Sequence, residues 1–75
     1  MKWGAYMAGE TERKFLIEPE IYTDAAGSHK ETHYKVYIYE NGIDKYDYLL
    51  PTLNDAFSFI EEKYGLPHDA WNISE

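Results

Sequence analysis

The sequence predicts an α+β domain: a three- to four-stranded antiparallel sheet with one C-terminal helix packed on one face. Three observations support this class. Residues 32–50 alternate apolar and polar side chains on both sides of an Asn-Gly pair, as in a β-hairpin. Apolar residues then recur at helical spacing from Leu53 to Tyr64. The chain has 75 residues, which predicts a single small domain over 1–75.

The turn of the hairpin can form in two ways, which differ in the face that each side chain takes. A two-residue turn at Asn41-Gly42 would place the charges of Lys45 and Asp47 on an aliphatic face. A three-residue loop with the glycine in a bulge position avoids this, because a one-residue slip moves every side chain to the other face. We therefore expect the bulged turn, which pairs Tyr39 with Ile43.

The bulged register divides the hairpin into a core face and an open face. It places Lys35 opposite Asp47 as a cross-strand ion pair. It leaves Tyr37 and Tyr39 on the open face, within reach of a partner. The core face is expected to carry Tyr34, Val36, Ile38, Tyr46, Tyr48 and Leu50.

The remaining strands come from segments before and after this hairpin. Arg13–Tyr22 alternates like a half-buried strand, and Pro19 cannot donate to a ladder, so the strand is expected to lie at an edge or to break there. Residues 1–7 are compatible with a further strand, and 23–30 have the composition of a loop. Trp71 in the tail is expected to cover an edge of the core, in a short extra strand.

Residues after Pro51 predict a helix with a cap at each end. Thr52 is a good N-cap, and Asp55 three residues later completes a capping-box-like pair near the positive end of the helix dipole. Gly65 stands where a left-handed C-cap belongs, and Leu66 beyond it can fold back onto the helix. One apolar stripe faces the sheet, formed by Leu53, Ala56, Phe57, Ile60 and Tyr64.

Acidic residues dominate the charge of the chain. Fourteen acids and seven bases give a formal net charge of −7, and residues 40–75 contribute −6 of it. Such a field repels nucleic acid and anionic membranes and favours basic partner surfaces. Solubility alone also accounts for it.

Composition also bears on location. The chain has no cysteine, which excludes disulfides and suits a reducing compartment. Residues 1–14 lack the apolar segment of a secretory signal, and no apolar run approaches the roughly 20 residues of a transmembrane helix. We therefore expect a soluble protein of the cytoplasm.

No arrangement of titratable residues predicts catalysis. His29 and His33 have the spacing that chelates a metal ion on a helix, but in an extended segment they lie about 13 Å apart. Glu61 and Glu62 are adjacent, so on a helix their carboxylates diverge and cannot converge on one substrate. We expect no enzyme activity, no metal site and no cofactor.

Protein recognition is the function that the sequence favours. Exposed tyrosines are enriched at interfaces. A carboxylate-rich helix face beside them, with Phe59 as an apolar anchor, would complement the basic groove of a protein that handles nucleic acid. The predicted partner-binding residues are Tyr37, Tyr39, Asp55, Phe59, Glu61, Glu62 and Asp69.

Three other functions remain open at this point. An immunity or antitoxin-like protein that neutralises a toxin nuclease would have the same electrostatics and a different partner. A direct single-strand nucleic-acid binder would stack bases on Tyr37 and Tyr39, with Lys35 and Lys45 near the phosphates, against the negative charge of the chain. A housekeeping domain with no special partner is the third.

The segment Val36–Gly42, VYIYENG, and the helix end Tyr64–Pro67, YGLP, carry a resemblance. With its small size, acidity and lack of cysteine, the chain resembles the anti-CRISPR inhibitors of bacteriophages. That resemblance implies stoichiometric binding to a CRISPR effector subunit, in the host cytoplasm if a phage encodes the chain. Because these inhibitors share no common fold, the resemblance assigns no binding residue.

Overall fold

A computed structural model of the chain describes residues 1–74. The strands are β1 (Lys2–Met7), β2 (Arg13–Thr23), β3 (Lys30–Glu40), β4 (Ile43–Leu50) and β5 (Asn72–Ser74); helix α1 is Leu53–Tyr64, and a 3₁₀ turn is His68–Ala70. All pairings are antiparallel in one sheet of order β4-β3-β2-β1-β5. The α+β class and the C-terminal helix are confirmed. The expected three to four strands are wrong, because the sheet has five.

The additional strands lie on one side of the sheet and come from the two ends of the described chain. β1 pairs with β2, placing Ala5 opposite Phe15, and β5 pairs with β1, placing Trp3 opposite Ile73. Trp3 and Ala5 point to the core side, where the ring of Trp3 meets that of Tyr34 edge-on at 6.1 Å. The further strand with which residues 1–7 are compatible is therefore present, and the short strand expected in the tail with Trp71 is present at Asn72–Ser74.

Strands β2 and β3 form a hairpin longer than the rest of the sheet. Their pairing runs to Thr23 and Lys30, so the loop expected over 23–30 is shorter by one residue at each end. β1 pairs with β2 only as far as Ile17, so Pro19 lies where the outer side of β2 has no neighbouring strand among residues 1–74. The edge expected at this proline is therefore present, but only along the part of β2 that extends beyond β1. The projecting hairpin gives the molecule extents of 48 × 24 × 24 Å.

The turn between β3 and β4 differs from the expected one. Asn41 and Gly42 both have positive φ, 51° and 80°, which defines a two-residue type I′ turn. Glu40 therefore pairs with Ile43, and the expected three-residue loop with Tyr39 opposite Ile43 is wrong.

A bulge in β4 restores the expected faces despite the shorter turn. Tyr39 pairs with Asp44 but Ile38 pairs with Tyr46, so Lys45 is the extra residue on the edge strand. The bulge shifts all later pairs, and Lys35 lies opposite Leu49 instead of the expected Asp47. The core-face side chains on β3 and β4 still share one side of the sheet.

The core lies between that side of the sheet and α1. Its buried side chains are Ala5, Phe15, Ile17, Val36, Ile38, Ala56, Ile60 and Leu66. Tyr34, Tyr48 and Leu50 are partly buried against this cluster, as expected. Tyr46 is 45% exposed, so its expected place in the core is wrong. It lies on the edge strand, where its ring stacks on Tyr48 at 6.5 Å.

Both predicted helix caps are confirmed. The Thr52 hydroxyl accepts a hydrogen bond from the backbone N–H of Asp55 at 3.0 Å. Gly65 has φ 79°, and its N–H donates to the carbonyl of Glu61 at 2.8 Å. Leu66 then folds back and is 4% exposed, which fastens the end of the helix to the core. With twelve residues, α1 is too short to cross a bilayer, and no other helix in residues 1–74 is long and apolar enough to do so.

Candidate binding surfaces

The predicted partner-binding residues lie on two opposite faces of the sheet. Tyr37 and Tyr39 alternate along β3 with Val36 and Ile38, which are fully buried in the core beneath α1. Successive side chains of a strand point to opposite sides, so both tyrosines face away from the helix. The sequence placed them beside the acidic helix. The structure does not bring these two sets together.

The first surface is the acidic helix surface, which consists of Asp55, Glu61, Glu62 and Asp69. All four side chains are exposed. Asp55 and Glu62 are seven residues apart on one helix, which separates them by about 10.5 Å along its axis. Glu61 lies 3.5 Å from Nε2 of His68, whereas the other three make no ion pair within 4 Å among residues 1–74.

Two carboxylates of the sheet are, by contrast, neutralised by nearby cations. Glu40 accepts from Nε of Arg13 at 3.1 Å, and the same guanidinium lies 5.1 Å from the ring centre of Tyr64. Glu18 pairs with Nζ of Lys2 at 3.2 Å. The charge of these two sheet carboxylates is therefore compensated, whereas most of the charge of the acidic helix surface is not.

Phe59 is part of the packing between α1 and the sheet. Its side chain is half-buried, and its ring lies 4.6 Å from that of Tyr48. Phe59 was expected to anchor an interface, but its ring is not freely exposed. The acidic helix surface is mainly electrostatic.

The second surface is the open sheet face, the side of the sheet away from α1. Strand pairing sets Tyr6, Lys14 and Tyr39 side by side across β1, β2 and β3. The next row along the strands holds Gly4 and Leu16, followed by Tyr37. A groove of about 460 Å³ follows these rows, lined by Tyr6, Glu12, Arg13, Lys14, Leu16, Tyr39 and Gly42.

The charges of the open sheet face are mixed. The ammonium of Lys35 lies 5.2 Å from the ring centre of Tyr37. The electrostatic interaction with Tyr37 raises the pKa of Lys35, and the carboxylates of Asp47 and Glu20 add to this shift. Lys14 has no carboxylate within 4 Å among the described residues. Lys35 likewise has no carboxylate within 4 Å in residues 1–74, so the face offers phenols together with two lysines that form no ion pair.

Two members of this row, Tyr6 and Lys14, were not among the predicted site residues. The antiparallel pairing of β1 with β2, across the short connection 8–12, makes them neighbours. The alternation of Trp3 and Ala5 with Tyr6 carries the available signal, because it places the tyrosine on the side opposite the core.

Alkaline pH is expected to destabilise the fold through its phenols. Partial desolvation raises the pKa of Tyr64 above its ordinary value of 10.0, with Glu40 adding to this and Arg13 opposing it. Desolvation likewise raises the pKa of Tyr39, assisted by Asp44. Each folded phenol holds its proton more tightly than the unfolded chain does. The stability this contributes is fully present below the ordinary pKa and is lost as pH rises through the folded pKa.

The melting temperature should therefore fall as pH is raised above about 10. Tyr64→Phe removes one phenol whose pKa is raised. The melting temperature of this variant, measured by circular dichroism, should therefore fall less steeply with pH than that of the wild type. Tyr22→Phe is the matched control, because Tyr22 is an exposed phenol on the projecting hairpin. Equal slopes for all three proteins would contradict a contribution from Tyr64.

No metal centre is formed by the described part of the chain: residues 1–74 contain no group of three or more His, Asp or Glu side chains placed to hold an ion. Comparisons with protein-family models, with curated proteins and with solved structures gave no match.

Proposed function

We propose that this protein is a non-enzymatic binding protein that covers a basic, nucleic-acid-handling surface of a larger protein with its acidic helix surface. The observation that carries the proposal is a set of three exposed carboxylates, at Asp55, Glu62 and Asp69, that have no ion-pair partner within residues 1–74 and lie next to a fourth at Glu61. A helix holds most of them in fixed positions, so binding a complementary surface orders few additional groups.

Electrostatics favour a basic partner over other targets. The field of residues 40–75, with net charge −6, steers association toward positive surfaces and makes it sensitive to salt. Phosphates on one DNA strand recur about every 3.4 Å along the axis, so the roughly 10.5 Å between Asp55 and Glu62 corresponds to every third phosphate. The acidic helix surface would therefore compete with nucleic acid by binding the same basic side chains of the partner. Its carboxylates would replace some of the phosphates and not every one.

Two kinds of partner present such a surface. A CRISPR effector subunit is favoured by the resemblance to anti-CRISPR inhibitors, and a toxin nuclease would make the protein an immunity or antitoxin-like factor. Both bind nucleic acid through basic grooves, so both would be blocked by the same carboxylates. The identity of the captured protein distinguishes them.

Charge reversal on the helix tests the proposal. Glu61→Lys combined with Glu62→Lys should abolish capture of the partner from a lysate of the encoding organism, whereas wild-type protein retains a basic nucleic-acid-binding protein. Both positions lie in the last turn of α1, where positive charge suits the helix dipole, so the fold should be preserved. An oligonucleotide competitor and raised salt should each release the captured protein.

The matched control is Glu10→Lys combined with Glu31→Lys. It changes the net charge by the same amount at two exposed positions away from α1. Retention of the partner by this control, together with loss by the helix variant, assigns the contact to the acidic helix surface. Equal loss in both variants would reduce the effect to net charge, and retention by the helix variant would refute the proposal.

A further inference from the structure

The open sheet face contains a row of alternating ring and cation. Tyr6 of β1 is opposite Lys14 of β2, and Lys14 is opposite Tyr39 of β3. Neighbouring strands are about 4.8 Å apart, so the Cα atoms of the two tyrosines are about 9.6 Å apart with the lysine between them. Tyr6 is 58% exposed, and Tyr39 is half-buried.

Two grooves meet at this row. The first, of about 460 Å³, includes Tyr39 and Leu16 in its lining. The second, of about 400 Å³, extends over Gly4 to the amide of Asn72 and the hydroxyl of Ser74. Tyr6 and Lys14 line both grooves. The missing side chain at Gly4 leaves open space beside the Tyr6 ring on the sheet surface.

The charge of this lining differs from that of the chain as a whole, which is strongly acidic. Lys14 is the cation presented to both grooves, since the guanidinium of Arg13 is engaged by Glu40 and Tyr64. Glu12 is the one carboxylate in the lining. In a chain with twice as many acids as bases, these grooves combine aromatic walls with one lysine and one carboxylate, so their lining is close to neutral.

We propose that the row binds one dinucleotide step of a single-stranded nucleic acid, with a base on Tyr6, a base on Tyr39 and the linking phosphate on Lys14. Every base has a π-face, so stacking on the two phenols is tolerant of sequence. The proposal goes beyond the proposed function, because it concerns the opposite face of the sheet and nucleic acid itself.

The surrounding charge sets the character of this binding. Asp44 is at the end of the row beyond Tyr39, and the chain repels polyanions at long range. Affinity therefore comes from stacking, and only one phosphate is neutralised. The dependence of log K on log salt should accordingly have a slope of about −0.7, much shallower than that of a protein with many phosphate contacts.

Fluorescence anisotropy with labelled hexathymidylate and hexauridylate at low salt tests the proposal, and the two probes distinguish DNA from RNA as the source of the ligand. Tyr6→Leu and Tyr39→Leu should each weaken binding about 5- to 150-fold. Lys14→Gln should bring the salt slope close to zero. Tyr22→Leu is the control, because it removes an exposed tyrosine outside the row.

Gly4→Val provides an independent steric test. A Cβ at this position would lie 3.8 Å from the carbonyl oxygen of Phe15, an ordinary contact, so the fold should accept the substitution. Valine favours strands but fills the space beside Tyr6, and binding should be lost.

Failure of the wild type to bind either hexamer at low salt would overturn the proposal. So would equal weakening by Tyr22→Leu, or displacement of the hexamer by inorganic phosphate as readily as by unlabelled hexamer. The helix reversal Glu61→Lys with Glu62→Lys should leave this binding intact or strengthen it. Loss of partner capture and loss of oligonucleotide binding thus report on different faces.

Discussion

Replacing Phe15 with alanine is expected to remove a large share of the stability of this domain. The side chain is fully buried at the centre of the sheet, with the rings of Tyr64 and Trp71 at 5.2 and 6.2 Å. Phe→Ala at such sites costs about 3–5 kcal/mol. A chain of this length is stabilised by only about 4–11 kcal/mol in total. Urea unfolding followed by circular dichroism should show a large drop in the midpoint.

Leu49→Ala is the matched comparison for that result. Leu49 is 49% exposed on the edge strand β4, so its truncation should cost less than about 1 kcal/mol. A similar loss for the two variants would mean that the ring of Phe15 does not join the sheet to α1 and the tail.

The helix and its caps could be predicted because their determinants are local. Thr52 and Gly65 act on residues within one turn, and the apolar stripe repeats within twelve residues. No distant segment has to be known for these interactions to form. The same reason explains why the faces of the β3–β4 hairpin were predicted from alternation alone.

The register of that hairpin could not be predicted in the same way. A two-residue turn would bury Lys45 and Asp47 if the strand after it continued without interruption, and only in that case is the turn excluded. The bulge at Lys45 removes that conflict, because one extra residue turns the following side chains to the required faces. Nothing in the composition around Lys45 indicates a bulge there.

The strand count and the arrangement of the surfaces depend on contacts between distant segments. β5 joins the sheet through β1, from the opposite end of the described chain, which neither alternation nor turn motifs reveal. β1 itself pairs with β2 across the short connection 8–12. The same pairing brings Tyr6 and Lys14 beside Tyr39. The separation of Tyr37 and Tyr39 from α1, in contrast, follows from the alternation that assigned Val36 and Ile38 to the core.

Trp71→Ala is expected to have the second large effect on stability. The indole stacks on Phe57 at 5.3 Å and lies 6.2 Å from the ring of Phe15, so it joins the tail to both the helix and the sheet. Truncation of a fully buried tryptophan to alanine costs about 3–5 kcal/mol. Because the ring of Trp71 is only half-buried, we expect a cost of about 2–3 kcal/mol. Urea unfolding measures the difference, with Trp3 retained as a fluorescent probe.

Trp71→Phe should be tolerated far better than Trp71→Ala, for a reason beyond ring size. The indole Nε1 is buried and has no hydrogen-bond partner among residues 1–74. Burying a polar group without a partner costs about 1–3 kcal/mol, and phenylalanine removes that cost while keeping an aromatic ring against Phe57. The loss of indole packing is thereby partly offset. Equal destabilisation by phenylalanine and alanine would contradict this account, because a retained ring without the buried N–H should recover part of the lost stability.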